Sequence, residues 1–223
     1  MGIAITLQLQ LRMSPTLLEG ALTAMHSPRR GVPRPKLNPA MLDTAYRQGI
    51  FPMPDGNGGM NWYRPNPRAI LPLDAFHATR SLRRTLKKGH FTVTFDKDFV
   101  GVMKGCADRP SSWIDDEFID AYSALHAMGK AHSVEVWLGA RLVGGTYGVH
   151  LGGAFFAESK FHYETDASKV ALAKLVERLN ERGFSLLEVQ FLTEHLSQFG
   201  VIEVPHAEYM VRLQAALALK CVF

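Results

Sequence analysis

Hydrophobic and polar residues alternate through the middle of the chain, with the two-residue period of a strand that buries one face. Turn residues at 139–140 and 152–153 separate the longer alternating segments. The candidate strands in this part of the chain span 90–95, 133–138, 141–149 and 153–159. Because short turns join the last three, we expect them to form an antiparallel meander.

Apolar residues with a helical period follow the meander. A single stripe formed by Ala171, Leu172, Leu175, Val176 and Leu179 predicts a helix that begins after Asp166 and ends at Gly183. Six further helices are predicted. One starts at Asn38-Pro39, one spans 79–88, two follow the N-caps Asp96 and Asp115, one ends at Gly200, and the last starts at His206. Further strands are expected at 186–191 and 201–204. Strands that cluster and then alternate with helices indicate a mixed α+β sheet.

A segment rich in proline and glycine, 52–67, predicts a domain boundary. We expect a small N-terminal domain at 1–63 and a larger domain at 64–223. Near the N-terminus, apolar residues alternate with polar or small ones from Ile3 to Leu11, which predicts a further strand and disfavours an amphipathic targeting helix.

Composition narrows the class of protein. The 223 residues are 47% hydrophobic and 21% charged, which is ordinary for a globular chain and excludes wholesale disorder. No uninterrupted apolar run reaches the length of a membrane span, so we expect no membrane partner. Cys106 and Cys221 lie far apart and lack the paired spacing of a zinc site, which fits a reducing cytoplasm.

The distribution of charge suggests a surface for phosphate. The net charge of the chain is +4. Residues 1–36 contain five basic side chains and one acid, Glu19, so this segment alone accounts for the excess of positive charge. A second group, here called the basic cluster, contains Arg80, Arg83, Arg84, Lys87 and Lys88 without an acid. It predicts either a phosphate-attracting surface or an ordinary solvated helix face.

General motifs for nucleotide, zinc-protease or serine-hydrolase chemistry are missing from the sequence. The glycine-rich segment 144–148 lies between strand-like residues and not at a helix N-terminus, so we interpret its glycines as packing residues. His126 and His132 fall near Glu135 in sequence, and we interpret both as structural histidines. We therefore predict no metal and no cofactor.

Eight motifs give a more specific indication because they follow one another in a fixed order: AYRQGIFP, NWYRPNPRAIL, GCADRPSSWI, AYSALHAMGKAHSVEVW, LVGGTYG, ESKF, ASK and LLEVQFLTEHL. Over about 38–210 the chain resembles the leucyl/phenylalanyl-tRNA–protein transferase family. The resemblance implies a small N-terminal domain and a larger acetyltransferase-like (GNAT-type) domain. It also implies transfer of Leu or Phe, or of Met, from aminoacyl-tRNA to the N-terminal amine of proteins that start with Arg or Lys, which marks them for degradation.

The resemblance also assigns site residues. Glu188 and Gln190 correspond to the reactive-centre pair, and Glu158 to a carboxylate that attracts the acceptor. The same resemblance makes the basic cluster the contact for tRNA phosphates. Its implied substrate-binding residues are Tyr46, Met53, Trp62, Trp113, Tyr122, Thr146, Phe155, Ala157 and Lys160. Strand alternation places Glu188 and Gln190 on one face, where the carboxylate could orient the amide; a structural polar pair bonded to backbone is the alternative.

Several positions depart from the family pattern. Met53 stands in place of a Trp expected to stack on the terminal adenosine, and Trp62 or Tyr63 could take over that contact. Lys160 stands in place of a Met, Ala157 in place of a Gly, and Glu188 in place of an Asp. Thr146 and Phe156 also differ from the residues expected around the aminoacyl pocket. A glycine-rich stretch that the family has before its first long helix is missing. These departures predict altered donor recognition.

Two other functions remain open. One is an N-acyltransferase that uses acyl-coenzyme A, although FHYETDASK lacks the usual pyrophosphate-binding pattern. The other is an inactive paralogue that binds aminoacyl-tRNA or N-terminal peptides without transfer. For the preferred function we expect a monomer whose partners are aminoacyl-tRNA and proteins with N-terminal Arg or Lys.

Overall fold

The computed structural model describes residues 36–54, 60–110 and 112–223. The strand predicted between Ile3 and Leu11 lies outside the described residues, as does most of the charged N-terminal segment. In the described part of the chain, every helix is too short or too polar to cross a lipid bilayer.

Seven α-helices and one short 3₁₀ turn, at Leu73–Ala75, are present in the described ranges. The helices are α1 (Pro39–Arg47), α2 (Arg80–Lys88), α3 (Phe99–Ala107), α4 (Asp116–Ala127), α5 (Ala167–Glu181), α6 (Glu194–Ser197) and α7 (His206–Leu217). Side-chain caps fix several starts: Asn38 accepts a hydrogen bond from the Met41 amide, and Thr79 accepts one from Leu82. The predicted helix starts at these two positions are confirmed.

Nine strands form a two-stranded hairpin and a seven-stranded sheet in the same ranges. The strands are β1 (Phe51–Pro54), β2 (Met60–Tyr63), β3 (Arg68–Ile70), β4 (Thr92–Phe95), β5 (Ala131–Leu138), β6 (Arg141–Leu151), β7 (Ala154–His162), β8 (Leu186–Gln190) and β9 (Ile202–Val204). The large sheet has the order β4-β5-β6-β7-β8-β3-β9, in which only β7 and β8 pair in parallel. The predicted α+β class and the β5-β6-β7 meander are confirmed.

Each face of the large sheet carries its own core. On one face α1, α3, α4 and α7 bury Tyr46, Tyr122 and Tyr209, while α2 and α5 cover the other face. A Cβ atom at Gly144 would lie 2.6 Å from the Cβ of Ala167, so this glycine lets α5 approach β6, as its interpretation as a packing residue requires. Helix α1 and the hairpin share the first core with the large sheet, and the division at residue 63 stays a prediction.

The structure corrects three local predictions. The segment 52–67 is not only a linker, because β1 and β2 pair within it. Asp98, not Asp96, caps α3; the Asp96 backbone adopts a positive φ, and its side chain bonds to His132 and Ser133. Asp166 precedes α5 but makes no capping bond. The short strand β3, which the sequence analysis did not predict, inserts between β8 and β9.

Candidate active site

An opening forms where the two parallel strands stop pairing. The β7–β8 ladder ends at Phe156 and Glu188, although both strands continue beyond these residues. Glu158 and Gln190 lie just past the last pair. A bulge in the β6–β7 ladder leaves Glu158 without a paired residue on β6. Gln190 has a φ of 63°, a backbone conformation that is uncommon for residues other than glycine. Both irregularities direct polar side chains to one point of the sheet.

The Glu158 carboxylate is buried against two tyrosines from different helices. The hydroxyl of Tyr46, on α1, donates to Oε1 of Glu158 at 2.6 Å, and that of Tyr122, on α4, lies 3.5 Å from Oε2. The two hydroxyls are 2.6 Å apart. The structure therefore brings together three residues that lie far apart in sequence and that the family resemblance had assigned to the site.

Burial controls protonation at this point. Loss of solvent raises the pKa of Glu158 to about 8, and the nearby charge of Glu188 acts in the same direction. Hydrogen bonds from Tyr46, Tyr122 and Gln190 oppose that rise in the pKa of Glu158. Burial, together with the charge of Glu158, raises the pKa values of Tyr46 and Tyr122 well above the usual phenol value, so both stay neutral donors.

Glu188 belongs to a buried ion pair. Its Oε1 accepts a bond from Nη1 of Arg68 at 2.6 Å, and its Oε2 accepts one from the Tyr209 hydroxyl at 2.8 Å. Arg68 also donates to the carbonyl of Gly49 and stacks over the Tyr209 ring, 4.6 Å from its centroid. Sequence reasoning missed Arg68 and Tyr209; the second arginine of NWYRPNPRAIL was the available signal for the first.

A cavity of about 40 Å³ adjoins Glu158. Its walls come from β6, β7, α5, β8 and α6, and it is lined by Thr146, Ala157, Glu158, Ser159, Lys160, Leu172, Val189 and Leu196. Three residues implied for substrate binding, Thr146, Ala157 and Lys160, thus meet at one place. A larger cavity of about 300 Å³, along 70–74 and 184–187, contains none of the implied residues.

The aromatic residues assigned to nucleotide contact lie around the hairpin and α4. Met53 pairs with Asn61 and Pro52 pairs with Trp62, so Met53 and Trp62 point to opposite faces of the hairpin. Tyr63 shares the face of Met53 and stacks on Phe51. Trp113 is half-buried and packs edge-on against Phe118, which follows the start of α4. This geometry makes Tyr63 a better substitute than Trp62 for the missing Trp.

Phe155 lies apart from the other assigned residues. It packs in the core beneath α5, with its ring centroid 5.4 Å from that of Phe223, and it does not line the cavity beside Glu158. Its neighbour Phe156 faces the opposite core and contacts the Tyr46 ring at 5.0 Å between centroids. Alternation along β7 explains the difference, since adjacent side chains point to opposite faces.

The basic cluster lies on the outer surface of α2, where all five of its side chains are exposed. The buried face of α2 is anchored by Leu82, and Thr85 donates to Oδ2 of Asp166 at 2.9 Å. Because Asp166 precedes α5, this bond attaches the cluster near the end of β7. The position is compatible with a phosphate contact, which stays a prediction.

The two histidines considered in the sequence have hydrogen-bond partners. His132 Nδ1 lies 2.7 Å from Oδ2 of Asp96, and His126 Nδ1 lies 2.8 Å from the carbonyl of Ala131. The possible ligand atoms of Asp96, His126 and His132 fall within 4.8 Å of one another. Glu135 instead bonds to Ser133 and Thr94.

Comparison with known proteins gives consistent matches. The family model described as "Leucyl/phenylalanyl-tRNA protein transferase" matches residues 70–214, and the model of the N-terminal domain of the same family matches 36–66. Curated proteins named "Leucyl/phenylalanyl-tRNA--protein transferase" include one from Gloeobacter violaceus, 51% identical over 84% of this chain and 97% of its own length. Another, from Rubrobacter xylanophilus, is also 51% identical, over 84% of this chain and 99% of its own.

Solved structures match at lower similarity. FemX aligns with a TM-score of 0.45 and 14% identity, over 57% of this chain and 53% of its own. A ribosomal-protein-alanine N-acetyltransferase from Brucella melitensis aligns with a TM-score of 0.36 and 13% identity, over 48% of this chain and 84% of its own.

Proposed function

The chain belongs to the leucyl/phenylalanyl-tRNA protein transferase family, and from this premise we propose that it transfers leucine or phenylalanine from aminoacyl-tRNA to the N-terminal amine of proteins. We also propose that the acceptors begin with Arg or Lys and are marked for degradation by the added residue. The observation that carries the proposal is the buried Glu158, which has a pKa near neutrality beside a small cavity.

The reaction needs orientation of the two substrates and removal of protons from the attacking nitrogen. The acceptor nitrogen forms a bond to the ester carbonyl carbon, and the bond from that carbon to the ribose oxygen of the tRNA breaks. An acceptor that arrives as an ammonium gives one proton to Glu158, which passes it to solvent, and the proton that the nitrogen loses on attack ends on the ribose oxygen. Because the ester is already activated, the protein needs no covalent nucleophile of its own.

Glu158 suits the role of proton acceptor. An N-terminal amine has a reference pKa of about 7.7 to 8.0, and the pKa of Glu158 is raised to about 8. Proton transfer between groups of similar pKa is nearly balanced in free energy, which favours general base catalysis near neutral pH. The incoming ammonium also stabilises the ionised carboxylate, so binding of the acceptor prepares the base.

The neighbours of Glu158 act as positioning groups. Tyr46 and Tyr122 hold its oxygens, and Gln190 adds a hydrogen bond while remaining close enough to orient the amine. Both oxygens of Glu188 are occupied by Arg68 and Tyr209. We therefore assign Glu188 a supporting role through Arg68, while Gln190 is the nearer member of the predicted reactive-centre pair.

One assay separates this function from its two alternatives. The protein is incubated with a fluorescent Arg-starting peptide and, separately, Leu-, Phe- or Met-tRNA or acetyl-coenzyme A, with an Ala-starting peptide as the control acceptor. Product masses one Leu or Phe residue larger, formed only on the Arg-starting peptide, support the proposal. An acetylated product would favour the coenzyme A alternative, and binding of aminoacyl-tRNA without any product would favour the inactive paralogue.

Cytoplasmic location and a monomeric state stay predictions. Both fit a partner as large as tRNA approaching an exposed basic surface. Size-exclusion chromatography with light scattering would test the second directly.

A further inference from the structure

Lys160 places a cation in the cavity beside Glu158. The rest of the lining combines aliphatic residues with polar ones: Leu172, Val189, Leu196, Ala157, Thr146, Glu158 and Ser159. Among the described residues, Lys160 has no hydrogen-bond or ion-pair partner, and burial lowers its pKa to about 8. An ammonium without a partner in a partly buried site costs free energy, which a bound anion would offset.

Lys160 and a second cation, Lys169, act on the same two histidines. The charges of Lys160 and Lys169 both lower the pKa of His195, although burial is the larger cause, and the pKa of His162 is lowered in the same way. Asp166, which precedes α5, is already bonded to Lys169 and Thr85. Glu158 directs its oxygens to Tyr46 and Tyr122 on the other face of the sheet.

We propose that this cavity receives a donor side chain ending in a carboxylate, so that Lys160 selects aspartyl- or glutamyl-tRNA as a donor in addition to the leucyl and phenylalanyl donors. The inference rests on the proposed function, because it takes the cavity beside Glu158 as the place where the donor side chain lies. Lys160 acts as a specificity-determining residue: its ammonium pairs with the carboxylate while the aliphatic walls hold the methylenes.

The size of the cavity favours a side chain over a tRNA phosphate. A volume of about 40 Å³ holds only a few water-sized groups, so the cavity can receive the end of a donor side chain but not a phosphodiester with its two riboses. A phosphodiester carries a ribose on each side and needs an open surface. The exposed basic cluster on α2 offers such a surface, whereas the cavity does not.

The test charges one tRNA body separately with Leu, Met, Gln, Glu and Asp, so that only the donor side chain varies. Values of kcat/KM for transfer to an Arg-starting peptide are measured for the wild-type protein and for Lys160→Met, which removes the charge and shortens the side chain by one atom. Lys174→Met is the matched control, because Lys174 lies exposed on α5 and pairs with Glu177. Binding of 3′-amide aminoacyl-adenosine analogues, which lack phosphate, is measured in parallel.

We expect the wild-type protein to use Glu about tenfold better than its uncharged counterpart Gln, as a charge-assisted hydrogen bond implies. Lys160→Met should lower the Glu-to-Leu ratio about tenfold in both assays, and Lys174→Met should leave it unchanged. An unchanged ratio in Lys160→Met would overturn the inference. So would an equal loss for all donors that disappears with the phosphate-free analogues, because that result assigns Lys160 to the tRNA backbone.

Failure of the proposed function would look different. If no donor supports transfer but the glutamyl analogue binds in a Lys160-dependent way, the pocket assignment stands and the transferase proposal fails. If leucine is transferred and the glutamyl analogue does not bind, the transferase proposal stands and the pocket assignment fails.

Discussion

The hydroxyl of Tyr46 lies 2.6 Å from Oε1 of Glu158 and connects the first described helix to the bulged strand of the large sheet. The contact joins residues 112 positions apart in sequence. It makes the protonation of Glu158 depend on how α1 packs against the sheet, and so couples the N-terminal part of the protein to its chemistry.

The first prediction concerns the pH dependence of transfer. Because the ionised form of Glu158 accepts the proton, kcat should rise with pH and level off above about 8, the pKa of Glu158. Tyr46→Phe removes a hydrogen bond that lowers this pKa, so the midpoint should move to higher pH. Glu158→Gln should abolish the rise of kcat with pH that depends on Glu158, and most of the activity with it. Single-turnover rates between pH 6 and 9 measure both effects, and a profile unchanged by Tyr46→Phe would contradict the assignment.

The second prediction concerns stability and follows from the same pKa. The folded protein holds the Glu158 proton up to about pH 8, whereas the unfolded chain releases it near 4.3. The folded state thus binds more protons in between, and the free energy of unfolding falls as pH rises through this window. Glu158→Gln should be more stable than wild type by a few kcal/mol at pH 8.5 and nearly equal to it at pH 4.

Urea denaturation at the two pH values measures this difference. Glu177→Gln serves as the control because Glu177 is exposed on α5 and pairs with Lys174, so it should show little pH-dependent change. A Glu158→Gln variant whose advantage does not grow with pH would show that the carboxyl is ionised in the folded protein well below pH 8.

The third prediction concerns the buried ion pair. Arg68 is fully buried and Glu188 nearly so, so Arg68→Met should cost about 3–5 kcal/mol by leaving the carboxylate without its partner. Adding Glu188→Gln should recover part of that loss. Arg141→Met, which breaks an exposed pair with Glu164, should cost less than about 1 kcal/mol. Equal losses at the two arginines in urea denaturation would contradict a structural role for Arg68.

The fourth prediction concerns the basic cluster. Replacing Arg83, Arg84, Lys87 and Lys88 with Gln should weaken tRNA binding and reduce the slope of log affinity against log salt by about 3, because each phosphate contact contributes about 0.7–0.9. Fluorescence anisotropy at several salt concentrations measures the slope, with Lys174→Gln as a control on α5. If the fourfold variant keeps the wild-type slope, these side chains form only a solvated surface.

The fifth prediction concerns Met53. A base stacked on an aromatic ring gains about 1–3 kcal/mol, and a thioether cannot supply the same planar contact. Met53→Trp should therefore tighten binding of an aminoacyl-adenosine analogue by about tenfold, which is about 1.4 kcal/mol. Calorimetry on wild type, Met53→Trp, Tyr63→Ala and Trp62→Ala measures this. Since Trp62 points to the opposite face of the hairpin, Trp62→Ala should matter less than Tyr63→Ala, and four equal affinities would refute stacking here.

Local signals in the sequence determined most elements of the fold. The alternation in the meander, the apolar stripe of α5 and the caps at Asn38, Thr79 and Asp115 depend on interactions within a few residues. The family motifs likewise assigned Tyr46, Tyr122, Glu158 and Gln190 to the site without coordinates, and their roles stay predictions. Such signals are readable from one chain because neighbours in sequence produce them.

Only the tertiary structure decided how these residues act. The pairing of Arg68 with Glu188 spans 120 positions, and no local pattern reveals that β3 inserts beside β8. The same long-range packing buries Glu158 and raises its pKa, separates Phe155 from the cavity and leaves Lys160 facing it. Burial and charge proximity depend on which distant segments meet, so the chemistry of this site follows from the fold and not from the order of residues alone.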